Sequence, residues 1–519
     1  MNRTAFRYIG KELPRRPELR RFLTGQGRYV DDFALPHLLH AAVFRSPYAH
    51  AELKSLSLAR ARELAGVAAI FTAADLGPAP RPIPVRLNPY ATLDPYLQYP
   101  LAATRLRYVG EPIALIVAES RALAEDAAAL IELDVSELPT ATDALAEAPA
   151  ALFPGCPDNV ASRFSDGFGD VAQAMAVADE IVEFTFHTGR HSAVPLETRG
   201  VIAAYDAGRR QLEVWGFTKV PHFNRGVLAR MLGLPEGRIR LVAPDVGGGF
   251  GVRGEFYPED FLIPFAAMRL GRPVKWIEDR LEHLLAANHS REQHYAMRLG
   301  LTRSGRLLGL DVALVNDMGA YMRTHGVIVP ELAAAMLPGP YRIAAYHAEV
   351  RAVMTNKTPT GTYRGPGRFE CNAARERLLD VAAARIGLDP VEIRRRNFIE
   401  PGAMPYQVGT HALGEEVVYD SGDYPAALSD VLARSGYAGR GAADGSGGLR
   451  RGLGISCFVE KTGKGPFEGA RVALDKSGTI EVASGATSLG QGLETVLAKI
   501  VGEALAQPPE TIRVRAGDT

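Results

Sequence analysis

The chain has 519 residues, which is too long for one compact core and indicates about two to four domains. Lys+Arg and Asp+Glu are equal at 59 each, so no net charge attracts the chain to nucleic acid or to an anionic membrane. The best candidate for a membrane span, Pro112–Ala118, has only the length of a strand, and the first residues contain no apolar secretory signal. We therefore expect a cytoplasmic protein without a membrane span.

Cysteine and histidine spacing predicts no metal site held by the protein itself. Three cysteines without a CxxC pair are too few for a four-cysteine iron–sulfur cluster, and we expect Cys156, Cys371 and Cys457 to be buried apolar residues. The twelve histidines form no HExxH motif and no His/Cys cluster, which argues against zinc. His187 and His191 are four apart, but the β-like run before them does not favour a helix that would align them.

Short β-rich runs alternate with alanine-rich helical runs, which predicts an α+β fold. The first predicted domain comprises residues 1–145. β-Branched and aromatic residues predict its strands, His40–Arg45, Val67–Thr72 and Pro112–Ala118. Ser120–Ile131 is rich in alanine and predicts a helix with Ser120 as its N-cap, and Pro139–Pro149 marks the boundary.

The second predicted domain comprises residues 146–405. Its predicted strands are Val182–His187, Gln211–Phe217 and Ile239–Ala243, the last of which leads into a glycine-rich loop. Its predicted helices are Phe223–Leu232 and Arg375–Ile386, the second ended by Gly387. Asp389–Pro390 opens a further turn or helix, because proline is tolerated in a first helical turn.

The third predicted domain comprises residues 406–519 and contains a glycine-rich linker, Ala438–Arg451. Its predicted strands are Gly452–Val459, Ala470–Leu474 and Ile480–Ser484, with the start of another at Ile512–Val514. Leu493–Leu505 has helical apolar spacing. A core built from these few elements would need more of them, so we expect this domain to be incomplete.

Three loops contain the residues best suited to bind a ligand. Val246–Gly251 (VGGGFG) follows a strand, and its four glycines let successive backbone N–H groups form an anion-binding nest. Gly490–Gly492 (GQG) precedes a helix, and Gln491 offers a donor and an acceptor. In Thr362–Arg368 (TYRGPGR), Arg364 is suited to a carboxylate, phosphate or pterin oxygen. Each loop alone is also compatible with an ordinary turn, and VGGGFG lacks the dinucleotide fingerprint GxGxxG.

The order of these loops and their surroundings resembles the molybdopterin-binding large subunits of molybdenum hydroxylases, the family of xanthine dehydrogenase, aldehyde oxidase and carbon monoxide dehydrogenase. GRYVDD (27–32), RSPYAHA (45–51) and YVGEPIALIVAES (108–120) resemble the N-terminal hammerhead-like α/β domain. The first molybdopterin-binding α+β domain is matched by PDVGGGFG, KWIEDRLEH (275–283), NDMGAY (316–321), TYRGPGR and GLDPVEIRRRN (387–397). The start of the second is matched by FEGARV (467–472), SLGQGLET (488–495) and the closing GDT.

The resemblance implies molybdenum held by molybdopterin, in a mono- or dinucleotide form, with no protein ligand to the metal. Carried over by position, the residues implied to bind the cofactor are Gly248, Gly249, Phe250, Gly251, Arg364, Gly490, Gln491 and Gly492. Phe250, Arg364 and Gly365 would border the metal and the substrate pocket.

The implied reaction hydroxylates an aldehyde or N-heteroaromatic carbon of a small molecule with oxygen from water. A glutamate acts as base, and electrons leave through iron–sulfur clusters to flavin. Because three cysteines cannot hold those clusters, the implied partners are an iron–sulfur small subunit and an FAD-containing medium subunit. The family's base lies beyond residue 519, so no glutamate of this chain is assigned that role.

Three positions depart from particular branches of the family. Members that oxidise carbon monoxide have a copper-bound cysteine where this chain has Gly365, so the non-copper branch is expected. Lys219 stands where many members have a glutamine, and it donates but cannot accept a hydrogen bond. Leu332–Met336 is apolar where purine-oxidising members have an arginine, which argues against a purine substrate.

Two hypotheses about function remain. In the first, the chain is the cofactor-binding part of a molybdenum hydroxylase. In the second, it is a non-catalytic cofactor-binding or assembly subunit, or an inactive fragment, that lacks the base glutamate. A generic nucleotide-binding protein is disfavoured because the sequence has no dinucleotide fingerprint and no Walker motif.

Overall fold

The computed structural model describes residues 6–12, 17–87, 91–216, 219–437, 452–460 and 468–519. Its α-helices are α1 (Pro17–Leu23), α2 (Ala59–Glu63), α3 (Arg121–Ala129), α4 (Val171–Ala176), α5 (Pro221–Leu232), α6 (Pro258–Leu270), α7 (Arg280–Ala286), α8 (Ile328–Met336), α9 (Arg368–Arg385), α10 (Pro390–Arg395), α11 (Tyr424–Ser435) and α12 (Leu493–Leu505). Among the described residues, no helix has both the length and the apolar character that a bilayer span requires.

The strands are β1 (Leu39–Arg45), β2 (Ala51–Ser57), β3 (Val67–Thr72), β4 (Arg105–Leu106), β5 (Pro112–Ala118), β6 (Glu132–Glu137), β7 (Val160–Phe168), β8 (Glu180–Thr188), β9 (His191–Ser192), β10 (Gly200–Asp206), β11 (Gln211–Trp215), β12 (Ile239–Val242), β13 (Val274–Ile277), β14 (His289–Ser290), β15 (Gln293–Leu301), β16 (Leu307–Gly319), β17 (Ala345–Met354), β18 (Tyr406–Ala412), β19 (Glu415–Tyr419), β20 (Ala470–Leu474), β21 (Ile480–Ser484) and β22 (Ile512–Ala516). The mixture of separate helices and largely antiparallel sheets agrees with the predicted α+β class.

A seven-stranded sheet, in the order β12-β11-β10-β13-β1-β5-β3, joins strands from both sides of the predicted boundary at residue 145. β5 is buried along its whole length because it lies between β1 and β3 and is covered on both faces. Leu115 and Val117 enter the core beneath α5 and α6, whereas Ala114 and Ile116 pack with α3 on the other face. The division into domains at residue 145 stays a prediction.

A five-stranded sheet, in the order β7-β17-β16-β15-β8, forms the second large layer. One face is apolar, because Tyr295 and Met297 of β15 pack with Leu378 of α9 and Ala333 of α8. This packing fixes α9, and therefore the loop that precedes it, against the sheet. Smaller sheets are β4-β2-β6, β9-β14 and β18-β19.

The last sheet, β20-β21-β22, is covered by α12, with Ala498 packed against Val482. The chain after β22 returns to β12: Ala243 N donates to Gly517 O at 2.7 Å, and Thr519 N donates to Leu241 O at 3.1 Å. The loop between β21 and α12 is thereby brought beside the loop that follows β12.

The structure confirms most of the predicted elements within one to three residues. The predicted N-cap is also confirmed, because Ser120 Oγ accepts a hydrogen bond from Leu123 N at 3.2 Å. The helix predicted at Arg375–Ile386 begins earlier, at Arg368. Cys156 and Cys371 are buried, as expected, whereas Cys457 is only half-buried. The linker Ala438–Arg451 and the end of the strand predicted at Gln211–Phe217 lie outside the described residues.

The strand predicted at Gly452–Val459 is wrong, because these residues have no regular structure. Their alternating apolar side chains, Ile455, Cys457 and Val459, pack against the core of the five-stranded sheet without pairing to it. The alternation here reflects burial of one side of the segment, without strand pairing.

Buried charges join the seven-stranded sheet to the helices around it. Arg199 at the start of β10 donates to Glu278 through Nε at 3.0 Å and to Glu259 of α6 through a terminal nitrogen at 3.0 Å. Arg45 of β1 reaches the same Glu259 at 2.6 Å. Burial alone would raise the pKa of Glu278, but Arg199 and His283 bring it down to about 2. Removal of one member would leave a buried charge without its partner.

Glu278→Gln is expected to lower the free energy of unfolding by about 3 kcal/mol or more, because it leaves Arg199 undercompensated. The measurement is the midpoint of chemical unfolding. Glu132→Gln is the matched control, since Glu132 pairs with Arg60 on the surface, and such pairs contribute about 0–1 kcal/mol. Equal midpoints for the two variants would contradict a structural role for the buried network.

Candidate functional site

The three glycine loops meet at one place. Arg364 N donates to Phe250 O at 2.8 Å, which joins the loop after β12 to the loop before α9. An ideal Cβ built on Gly249 would lie 3.2 Å from Leu489 Cδ1, and one on Gly490 would lie 3.5 Å from Val246 O. The structure therefore brings all three predicted loops together from three separate parts of the sequence.

The tip of the first loop requires glycine at position 251. Gly251 has a φ of +107°, and a Cβ there would lie 2.7 Å from the carbonyl oxygen of Thr362. The neighbouring Phe250 has a φ of +50°, which costs about 1–3 kcal/mol for a side chain of this size. Its ring is nevertheless 46% exposed. A strained residue with an exposed aromatic ring indicates a conformation kept for a ligand.

The first loop offers unpaired backbone donors. Within the described parts of the chain, the N–H groups of Gly248 to Gly251 donate to no protein acceptor. The Arg364 side chain is exposed and makes no hydrogen bond or ion pair with the described residues. Beside it, the nearest heavy atom to a Cβ on Gly365 would be Phe369 N, at 4.0 Å. The arrangement is a nest of N–H groups with a free guanidinium at its rim, which suits an anionic or oxygen-rich ligand.

Gln491 takes a different position from the one that its predicted role suggests. Its Oε1 accepts from Leu489 N at 2.5 Å, and its Nε2 donates to Thr487 O at 3.1 Å. The amide thus closes its own loop. Gly490 and Gly492 both have positive φ, of +96° and +78°, so the backbone of this loop turns sharply before α12. The contact of Gln491 with a cofactor stays a prediction.

Arg291 holds the second loop from behind. It is buried, pairs with Glu370 at 3.0 Å, and donates to the carbonyl oxygens of Arg364 and Gly365 at 2.5 and 3.3 Å. Its guanidinium also lies 4.5 Å from the ring centroids of Tyr363 and Phe369. These contacts fix the backbone that presents Arg364. Arg291 was not predicted, because a single arginine outside a motif gives no signal in the sequence.

Glu255 also fixes the second loop, and it does so from the opposite side to Arg291. Its Oε1 accepts from Thr362 N at 3.1 Å and from His325 Nδ1 at 2.6 Å, and its Oε2 accepts from Thr324. Burial would raise the pKa of Glu255, but His325 and the hydroxyl donor lower it to about 2. The ionised carboxylate therefore joins the turn after VGGGFG to the start of TYRGPGR. Sequence reasoning missed it for the same reason as Arg291.

Lys219 lies beside this carboxylate. A Cβ on Gly254 would be 3.0 Å from Lys219 Cδ, and Arg86 donates to Gly254 O at 3.0 Å. Burial and the neighbouring Arg86 lower the pKa of Lys219, while Glu255 partly offsets them. This corner of the site is therefore cationic and contains an amine whose charged form is destabilised.

A cavity of about 240 Å³ lies between the residues that lead into VGGGFG and those that lead into GQG. It is lined by Asp245, Thr487 and Ser488, with Arg28 and Glu494 at its sides. Asp245 is held in place by Arg28 N at 2.8 Å and by the Arg21 side chain. The cavity is lined by both polar and apolar residues and lies beside two of the glycine loops, so it extends the space available to a ligand there.

The helix beside the second loop, α8, is largely apolar. α8 lies against the second loop, since a Cβ on Gly367 would be only 2.2 Å from Val329 O and 2.7 Å from Ala333 N. The segment Leu332–Met336 is in this helix, and Leu332 and Ala335 are buried in an apolar cluster.

Comparison with known proteins identifies similar domains along most of the chain. Residues 24–139 match the a/b hammerhead domain of aldehyde oxidase and xanthine dehydrogenase. Residues 152–398 and 430–519 each match a molybdopterin cofactor-binding domain.

Individual relatives match over nearly the whole chain. The 6-hydroxypseudooxynicotine dehydrogenase complex subunit gamma of Paenarthrobacter nicotinovorans is 37% identical over 99% of this chain and 65% of its own length. The nicotine 6-hydroxylase large subunit of the same organism is 36% identical over 98% of this chain and 64% of its own. The structure of quinoline 2-oxidoreductase from Pseudomonas putida 86 superimposes with a TM-score of 0.90 and 36% identity, covering 99% of this chain and 67% of that one. The chain thus spans about two thirds of the length of these relatives.

Gly251→Ala is expected to lower the free energy of unfolding by about 1–3 kcal/mol, because it adds a Cβ in a left-handed conformation against Thr362 O. Chemical unfolding measures the loss, and proteolysis within the loop should become faster. Gly237→Ala is the control, since a Cβ there meets no heavy atom within 4 Å. Equal free energies of unfolding for the two variants would contradict the close approach of the two loops at Gly251.

Glu255→Gln is expected to destabilise the protein most at neutral pH. The folded pKa of about 2 lies below the ordinary 4.5, so the carboxylate contributes stability that is present above pH 4.5 and is lost as pH falls toward 2. The difference in unfolding free energy between the wild type and the variant should therefore shrink across that window. Glu481→Gln, in an exposed pair with Arg515, should give a small difference throughout. A pH-independent loss in Glu255→Gln would contradict the role of its charge.

Proposed function

The chain belongs to the molybdenum hydroxylase family, as one of its molybdopterin-binding subunits, and we propose from this that it forms the cofactor-binding part of an oxidoreductase that hydroxylates an N-heteroaromatic or aldehyde carbon. The observation that carries the proposal is the meeting of three glycine loops around unpaired N–H groups. Such a cradle suits a cofactor with polar pterin edges and a phosphate.

The residues present fit this cofactor. The nest at Gly248 to Gly251 supplies donors without side chains in the way, and the free Arg364 supplies a charged donor at its rim. The cavity beside Asp245 provides further space for the rest of a large ligand. When bound, the molybdenum cofactor supplies the redox chemistry that places oxygen from water on an activated carbon.

The chain's own residues would bind and orient the cofactor and the substrate, and they would exclude water. The backbone of Gly249 to Gly251 would border the metal, and the exposed Phe250 ring would cover it from solvent. Arg364 and Gly365 would border the substrate, on a loop that Arg291 and Glu255 make rigid. Gly490, Gln491 and Gly492 would lie along the pterin. Rigid placement matters because small displacements of reacting groups reduce the rate steeply.

An N-heteroaromatic substrate is favoured over an aldehyde or a purine. The names of two relatives with 36% identity specify nicotine and quinoline, both of which contain an aromatic ring with nitrogen. The segment Leu332–Met336 of α8 is apolar and buried beside the second loop, so it offers no charged donor to purine oxygens.

Oxidation of carbon monoxide through a copper-bound cysteine is not supported. Gly365 occupies the position that would carry the thiol. The nearest cysteine in sequence, Cys371, is buried in α9, and burial raises the pKa of its thiol to about 12. A thiol that stays protonated is a poor ligand for copper.

The 519 residues contain three cysteines, too few for a four-cysteine iron–sulfur cluster, so clusters that accept the electrons would lie outside these residues. We infer an iron–sulfur subunit and an FAD-containing subunit as partners. The name of one relative describes it as a subunit of a complex, which supports a multi-subunit assembly.

The test is metal and pterin analysis of the complex purified from molybdate-fed cells, followed by turnover in ¹⁸O-labelled water. We expect near-stoichiometric molybdenum and pterin, and ¹⁸O in the hydroxylated product of a pyridine- or quinoline-type ring. Absence of both molybdenum and pterin would overturn the proposal. Molybdenum without turnover of any ring or aldehyde would instead support the non-catalytic alternative.

Arg364→Ala is expected to reduce turnover or molybdenum content at least about tenfold, because it removes the free guanidinium at the rim of the site. Circular dichroism should be unchanged, since the exposed Arg364 side chain makes no hydrogen bond or ion pair with the described residues. Arg209→Ala, an exposed arginine in the turn between β10 and β11, should retain both properties. Full activity and full loading in Arg364→Ala would contradict the role of this residue.

A further inference from the structure

Two histidines and a glutamate meet on the outer face of the five-stranded sheet. β8 and β15 pair antiparallel with His187 directly opposite His294. The two imidazole rings are stacked, with centroids 4.3 Å apart and planes inclined by 24°. Glu292 lies two residues before His294, and one ligand atom from each of the three side chains lies within 4.8 Å of the others.

These side chains are away from the apolar core. Tyr295 and Met297 of β15 point into the core, and successive strand residues face opposite sides, so His294 faces outward. β8 is an edge strand of its sheet. His187 is exposed, while His294 and Glu292 are half-buried. The group is therefore accessible to an ion from solvent.

The two imidazoles are not used in other hydrogen bonds of the described structure. Neither ring nitrogen of His187 or His294 makes a hydrogen bond to a described residue, in contrast to His283, which binds Glu278 and Ala193 O. Both imidazoles are therefore available to bind an ion.

Glu292 already has two cationic neighbours. Its oxygens accept from Arg190 Nε at 2.5 Å and from Lys357 Nζ at 2.6 Å. The same two cations also bind Asp317, each at 2.9 Å, so two positive and two negative charges balance. Each carboxylate oxygen has a second lone pair. One oxygen can therefore bind an ion without losing its existing partner, and no net positive charge repels the ion.

We propose that His187, His294 and Glu292 form a binding site for a divalent zinc-class ion, separate from the glycine loops. Two nitrogens and one oxygen are ligands that Zn²⁺ binds well, with water completing the coordination. The ion would cross-link edge strand β8 to β15, and it would stabilise the folded chain because the unfolded chain lacks the site.

Calorimetric titration of the full chain with ZnCl₂, after chelator treatment and removal of any histidine tag, tests the site. We expect one site per chain in the wild type, with affinity reduced at least about tenfold in His187→Ala and in His294→Ala. Glu292→Gln should also weaken binding, and its retention of full affinity would overturn the three-ligand assignment. Zn²⁺ should raise the thermal midpoint of the wild type but not of the double histidine variant.

His347→Ala is the matched control, because His347 lies on the same sheet in β17 and pairs with Asp311 at 3.0 Å. This variant should keep wild-type affinity. The proposal is overturned if the wild type binds no stoichiometric Zn²⁺, or if both single histidine variants bind as tightly as the wild type. None of these readouts depends on molybdenum, so this test and that of the proposed function can fail separately.

Discussion

The site depends on leaving backbone donors unpaired at its inner surface while the same loops are held in place from outside. Gly248 to Gly251 can face a ligand only if some other group fixes the chain, because an unpaired, glycine-rich segment has high conformational entropy. Buried charged side chains fix the chain here. Arg291 holds the carbonyl oxygens of Arg364 and Gly365, and Glu255 holds Thr362 N. Buried ion pairs contribute little net stability, but they specify one arrangement. Here that arrangement is the separation between the loops.

The large sheets determine where these charges lie. Glu255 follows the turn that leads from β12 to α6, and Arg291 precedes β15 in the other large sheet. The third sheet is connected to the first by the pairing of Gly517 and Thr519 with β12, which brings GQG beside VGGGFG. The ligand cradle is thus assembled from loops that three different sheets hold. A ligand bound there would contact all three, and binding would stabilise their mutual arrangement.

The sequence was sufficient to predict the elements whose conformation is set by neighbouring residues. The N-cap at Ser120, the helix at Leu493–Leu505 and the three loops were predictable because their residue types act on neighbouring backbone. It failed at Gly452–Val459, where alternating apolar residues reflect packing and not pairing. It also failed for groups made by strand register. His187 and His294 are far apart in the chain, and no spacing rule connects them until β8 and β15 are known to pair. Arg291 and Glu255 belong to the same class, since each acts on a loop far away in sequence.

The three places that we expected to differ between branches of the family, Lys219, Gly365 and Leu332–Met336, lie in or beside the glycine loops. Lys219 packs on Gly254, Gly365 has no heavy atom of the described residues closer than 4.0 Å to its Cβ position, and α8 lies against Gly367. A side-chain change at any of these places alters the shape or charge of the pocket, while the backbone donors stay where the buried charges hold them. The cationic corner at Lys219 and Arg86 favours a ligand atom that accepts a hydrogen bond on that side.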